Sequence, residues 1–136
     1  MCHELQAAEV AEGVRRGDLS AVTLVRSALE RCETVNATLN CFMEMSAERA
    51  LAAAAAVDEA VASGRDPGAL AGLPIVIKEA TPVAGMRNTA GSFAFRDRVA
   101  ERDATVVERM RRSGAVVLGT SALSELASSS FCDSPV

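Results

Sequence analysis

The sequence predicts an α/β protein, in which N-terminal helices precede a strand-helix-strand-helix run that builds a mainly parallel or mixed sheet. Three observations carry this. Apolar residues recur at helical spacing three times before Gly64, the pattern turns extended at Leu73-Pro74-Ile75-Val76-Ile77, and a capped helical segment near 103–112 runs straight into Ala115-Val116-Val117-Leu118. The 136 residues, 49% hydrophobic and 24% charged, fit a single soluble globular domain. A chain of this length buries roughly two-thirds of its unfolded surface, so a core needs neither disulfides nor metal.

Taken in order, Ala7, Val10, Ala11 and Val14 mark a first short helix that Arg15-Arg16-Gly17 closes. A second helix opens at Ser20, a favourable N-cap, and carries Ala21, Val25, Ala28, Leu29 and Cys32 on one stripe before Asn36. Cys41-Phe42-Met43-Glu44 reads as a short strand. Ser46 is placed to cap a third helix with Ala50, Ala54, Val57 and Val61 on one face and Gly64 at its end. The turn-rich joint Gly64-Arg65-Asp66-Pro67-Gly68 is too short to separate two cores. Leu73 to Ile77 is then a buried strand with Pro only near its start, and Lys78 ends it. Residues 79–102 have no sustained period and are long for a plain connection, which makes them a candidate functional loop. Asp103 or Thr105, the latter in a Thr-x-x-Glu box, caps a helix that turns Val106, Val107 and Met110 inward and stops at Gly114. After the apolar strand 115–118, a helix is expected over Ala122 to Ala127.

Composition excludes several function classes. With 14 Lys plus Arg against 18 Asp plus Glu the net charge is −4, too little cationic excess to bind a phosphate backbone, so no nucleic-acid partner is expected. The longest uncharged stretch, Ser113 to Ser124, is shorter than the roughly 18 apolar residues of a spanning helix, so no membrane partner is expected. There is no Trp or Tyr, and the four Phe are poor material for an interaction or single-strand-binding module. Cys2, Cys32, Cys41 and Cys132 include no CxxC pair, and His3 is the one histidine, which argues against zinc and for free thiols buried as small hydrophobes. The start lacks the basic and apolar regions of a secretory signal, so a cytoplasmic location is expected.

Lys78 is the candidate catalytic residue, because a lysine directly after a buried strand sits where α/β sheets place ligands. Lysines at strand ends also simply extend to water. Desolvation alters the balance: lowering a lysine pKa by about three units, roughly 4 kcal/mol, makes the neutral amine a usable base. The available hydroxyls are Ser92, Ser121, Ser124 and Ser128-Ser129-Ser130, with no histidine beside them, so a serine-histidine triad is excluded unless His3 folds back. The 128–130 cluster lacks flanking glycines and reads as a polar helix end or loop; Asn88 to Ser92 reads equally as a pocket lining or a turn.

The segments Gly72-Leu73-Pro74-Ile75-Val76-Ile77-Lys78-Glu79, Val83-Ala84-Gly85, Thr89-Ala90-Gly91-Ser92, Asp103-Ala104-Thr105-Val106-Val107, Gly114-Ala115-Val116-Val117-Leu118-Gly119 and Ser124-Glu125-Leu126-Ala127 together resemble the amidase signature family. Gly17-Asp18-Leu19-Ser20 and Leu29-Glu30-Arg31 extend the resemblance over nearly the whole chain. The resemblance implies that Lys78 is the catalytic lysine of a Ser-Ser-Lys arrangement acting on small-molecule amides, with no metal or cofactor needed. It further implies that residues 1–136 are the N-terminal part of one amidase-signature domain, helical over 1–64 and α/β over 70–136, lying ahead of the glycine- and serine-rich segment that bears both serines. Glu79 stands where an aspartate commonly follows the lysine. On this reading the chain alone hydrolyses nothing and associates through open strand edges, with the rest of the enzyme or with itself. The alternative is a small non-catalytic α/β binding or assembly protein whose lysine is idle.

Overall fold

The computed structural model describes residues 6–129 and 131. Helix α1 (Ala7–Arg15) starts at Gln6, whose backbone N–H donates to the Glu9 carboxylate at 2.8 Å. Helix α2 (Ala21–Leu39) starts where its cap predicts: Ser20 Oγ accepts the Thr23 N–H. Asp58, from helix α3 (Ala47–Ala62), reinforces that end by accepting from the Ala21 and Val22 N–H groups and the Ser20 hydroxyl. An anion at a helix N-terminus meets both its unpaired donors and its dipole. The helix passes Asn36 and ends at Asn40 in the left-handed region, φ 46°. Asn36 does not stop it because its side chain instead accepts the Phe42 N–H beyond the turn.

Strand β1 (Phe42–Met45) leads to Ser46, which stands at the N-cap of α3 as expected but makes no side-chain cap bond. Its backbone N–H donates to Leu118 O, so a sheet contact rather than a hydroxyl sets the start of α3.

The sheet has the order β1-β3-β2 and is mixed. Strand β2 (Pro74–Lys78) runs parallel to β3 (Val116–Ser121), with Ile77 opposite Thr120 and Lys78 opposite Ser121, while β1 runs antiparallel to β3. Central β3 is buried from Val116 to Thr120. Gly119 is required there, because a Cβ would stand 2.1 Å from Glu44 O on β1.

Helix α4 (Thr105–Arg112) connects β2 to β3 through the crossover that parallel strands need. Neither expected cap serves it. Its N-cap is Ala104, Thr105 is already helical, and Asp103 turns away to accept the Ala84 N–H and to pair with Arg111 at 3.0 Å. Val107 is buried and Met110 half-buried, but Val106 is 49% exposed, since adjacent positions on a helix diverge by about 100°.

The helix expected over 122–127 does not form. β3 continues through Ser121, and only a 3-10 turn, Glu125–Ala127, follows, with Leu126 at φ 52° and Ala127 at φ 56°. The Leu126 N–H donates to Ala90 O at 2.7 Å, a tertiary bond that displaces the local helical one.

Two apolar clusters flank the sheet. The larger unites Val10, Val14, Ala21, Leu24, Val25 and Leu29 with Ala50, Ala54, Val116 and Leu118. The smaller holds Ile77, Val83, Met86, Val107 and Val117. Cys32 and Cys41 are free and half-buried rather than fully buried; burial, with a smaller contribution from Cys41, pushes the Cys32 thiol up. Cys2, His3, Ser130 and Cys132 lie outside the described residues.

Candidate active site

Lys78 is the last residue of β2, exposed, and level with the last residue of β3. Both parallel strands therefore end beside it, the position at which open α/β sheets bind ligands. The chain turns immediately, the Thr81 N–H donating to Lys78 O at 2.8 Å. Among the described residues no hydrogen bond or ion pair engages the Lys78 ammonium.

The next residue behaves in the opposite way. Glu79 is fully buried, and its N–H extends the ladder by donating to Ser121 O at 3.1 Å. The Asn88 side chain donates to Glu79 O at 2.5 Å, and the Thr89 N–H donates to Glu79 Oε1. Period-two alternation explains the contrast, since Glu79 lies on the Ile77 face and Lys78 on the other.

These bonds hold the 88–92 segment against the sheet end. Asn88 to Ser92 form a turn with Ala90 at φ 52° and Gly91 at φ 69°, Thr89 Oγ1 accepting the Gly91 N–H and Thr89 O the Ser92 N–H. A side chain at Gly91 would press on Ser124 O and Leu123 O, at 3.0 and 3.1 Å, so this turn packs backbone to backbone on the segment after β3. Arg87 fixes the loop's other side, donating from its backbone to Glu44 Oε2 and from its guanidinium to Met43 O.

Of the candidate hydroxyls, Ser121 stands opposite Lys78 in the register, and Ser92, Ser124 and Ser128 are bonded elsewhere. Ser92 is buried and donates to Glu125 Oε1 at 2.6 Å; Ser124 is buried and donates to Ser129 O; Ser128 donates to Glu125 O. Ser129 accepts the Phe131 N–H. Ser121 is half-buried at the end of β3. Sequence reasoning left Asn88 to Ser92 open and passed over Glu79, Asn88, Thr89 and Glu125 as a network. The available signal was the alternation that turns position 79 inward. Among the described residues no three His, Cys, Asp or Glu side chains converge as a metal site, and no helix is long and apolar enough to cross a membrane.

The Amidase family model matches residues 23–136. The chain belongs to the amidase family. A glutamyl-tRNA(Gln) amidotransferase subunit of Chromohalobacter salexigens is 43% identical over 92% of this chain and 26% of its own length. Indoleacetamide hydrolase of Bradyrhizobium diazoefficiens is 37% identical over 96% of this chain and 25% of its own. Among solved structures, the native peptide amidase of Stenotrophomonas maltophilia superimposes with a TM-score of 0.82 at 34% identity, over 90% of this chain and 25% of that one. This amidase chain thus spans about a quarter of the length of the relatives it matches.

Proposed function

We propose that residues 1–136 form the N-terminal part of an amidase-signature domain, helical over 1–64 and α/β over 70–136, in an enzyme that hydrolyses the C–N bond of a small-molecule amide by a Ser-Ser-Lys mechanism. The observation that carries the reading is the place of Lys78 at the shared carboxyl end of the parallel pair. A lysine there, enclosed by further polypeptide, loses water and holds its amine neutral. The neutral amine takes a proton through a bridging serine hydroxyl from a nucleophilic serine. That serine adds to the amide carbonyl, the C–N bond breaks as the leaving amine takes the proton, and water then hydrolyses the acyl-enzyme. Both serines belong to the polypeptide that follows these residues. The exposed Lys78 side chain supports the corollary that the isolated chain has no turnover.

The test joins residues 1–136 to the remaining three quarters of the Stenotrophomonas peptide amidase and measures ammonia release from simple peptide amides. The fusion turns over and the isolated chain does not. Lys78→Ala lowers kcat by roughly 10²–10⁴-fold, the span of general-base contributions. Turnover by the isolated chain, or by the Lys78→Ala fusion at the parental rate, overturns the reading.

A further inference from the structure

Strand β2 lies at the edge of the sheet: in the order β1-β3-β2 no strand of the described residues pairs on its far side. Leu73 O accepts the Val116 N–H and the Glu79 N–H donates to Ser121 O, so the odd positions from 73 to 79 turn their backbone groups towards β3. The even positions turn theirs to the open edge. Val76 therefore offers an N–H and a C=O there, and Lys78 an N–H, its C=O being held by the Thr81 N–H. Side chains at the even positions share one face, and it is the helical one, since Val76 packs against the larger apolar cluster. Beside that edge the packing is incomplete. Leu24, Ala28 and Cys32 of α2 and Pro74, Val76 and Leu118 of the sheet line an open cavity of about 320 Å³. A dry cavity of roughly 150 Å³ already holds a benzene ring, so this one has room for a large apolar side chain.

We propose that the open edge of β2 is the docking site for an extended segment of the polypeptide that completes the amidase, which seats an apolar side chain in the cavity beside Val76 and covers the Lys78 amine with the side chain two residues along. Unpaired backbone groups along one edge call for a strand, and the cavity next to them calls for an apolar residue on its inner face. Val76 and Lys78 are themselves two residues apart on that face, so a residue seated beside the first places its same-face neighbour beside the second. The inference rests on the reading that further polypeptide completes the enzyme, of whose relatives this chain spans about a quarter. Filling the cavity and taking the lysine out of water are then one event.

Ala28→Phe tests this, because its ring occupies the cavity from the α2 side and leaves no seat for the incoming residue. In the isolated chain the Val76 and Lys78 amides exchange at least about tenfold faster than that of Ile77, which faces β3 and reports in every sample that the sheet is intact. In the fusion with the peptide amidase remainder, exchange at Val76 and Lys78 slows at least about tenfold against the isolated chain. Reductive methylation of Lys78, the only lysine of the chain, slows with it. Ala28→Phe reverses both while Ile77 stays protected. Where the fusion does not fold, overlapping peptides from that remainder are titrated against the isolated chain: one that slows exchange at Val76 in the parent and not in Ala28→Phe supports the seat, and the lack of any such peptide overturns it. Exchange at Val76 that slows as the isolated chain is concentrated gives the edge to a second copy and overturns the proposal. So does a fusion in which Val76 exchanges or Lys78 is methylated as in the isolated chain, or in which Ala28→Phe leaves the protection whole, even if that fusion hydrolyses amides. A fusion without turnover whose Val76 protection still depends on Ala28 supports the docked strand and counts only against the amidase reading.

Discussion

The two faces of the sheet are finished to different degrees. On one, α1, α2 and α3 bring Val10, Val14, Leu24, Val25, Leu29, Ala50 and Ala54 against Val116 and Leu118, and the polar groups there are met, as where Asp58 accepts three donors at the start of α2. On the other, one short helix and the 79–102 loop cover Ile77, Val83, Met86, Val107 and Val117, and Glu79 Oε2 and Thr120 Oγ1 are left unmet among the described residues. The helical face is an apolar core held by area removed from water, with an apolar cavity open between α2 and the sheet beside Leu24, Val76 and Leu118. The loop face is held by specific hydrogen bonds that tie one strand end to two turns, and these specify geometry more than they add stability. The loop face thus holds the backbone on which Lys78 stands, while the lysine side chain, by alternation, points to the other face.

The contrast can be broken by core truncation. Leu24→Ala, on the helical face, is expected to cost about 3–4 kcal/mol in denaturant unfolding, because neighbours from three helices hold the cavity open. Met86→Ala, equally buried on the loop face, is expected to cost about 2 kcal/mol, since a loop can collapse into the space. Equal losses would mean that the two faces are equally rigid. Between the faces, Gly119→Ala drives a methyl group into the β1 backbone and is expected to cost about 2–3 kcal/mol, read as a drop in melting temperature together with loss of amide protection in 42–45. The smallest effect sharpens the account of helix starts: Ser20→Ala should cost about 1 kcal/mol and Ser46→Ala only a few tenths, because only the first hydroxyl accepts a helix N–H.

The helical face was legible because its signals are local and periodic. Ser20 before a stripe of Ala21, Val25 and Leu29 states both where α2 begins and which side is buried, and Gly17, Gly64 and Gly114 adopt the positive φ that helix-ending glycines supply. The place of Lys78 at a strand end was legible for a similar reason, since a β-branched run ending in lysine fixes where a strand stops. The Asp103 or Thr105 cap and the 122–127 helix failed where long-range bonds compete with local ones. Asp103 meets the Ala84 N–H and Arg111, and Leu126 meets Ala90 O. The buried pairing of Glu79 with Thr89 spans ten residues of aperiodic loop and has no local signature.

The sequence by itself determined α1 to α4, the two later strands and the lysine at a strand end, because each follows from the spacing of neighbouring residues along the chain. Only the tertiary structure decided the antiparallel place of β1, the inward turn of Glu79 and the ring of bonds from Glu79 through Thr89 and Ser92 to Glu125. Those depend on which donors and acceptors meet across tens of residues, and no periodicity encodes a pairing between segments that approach one another only when the sheet has formed.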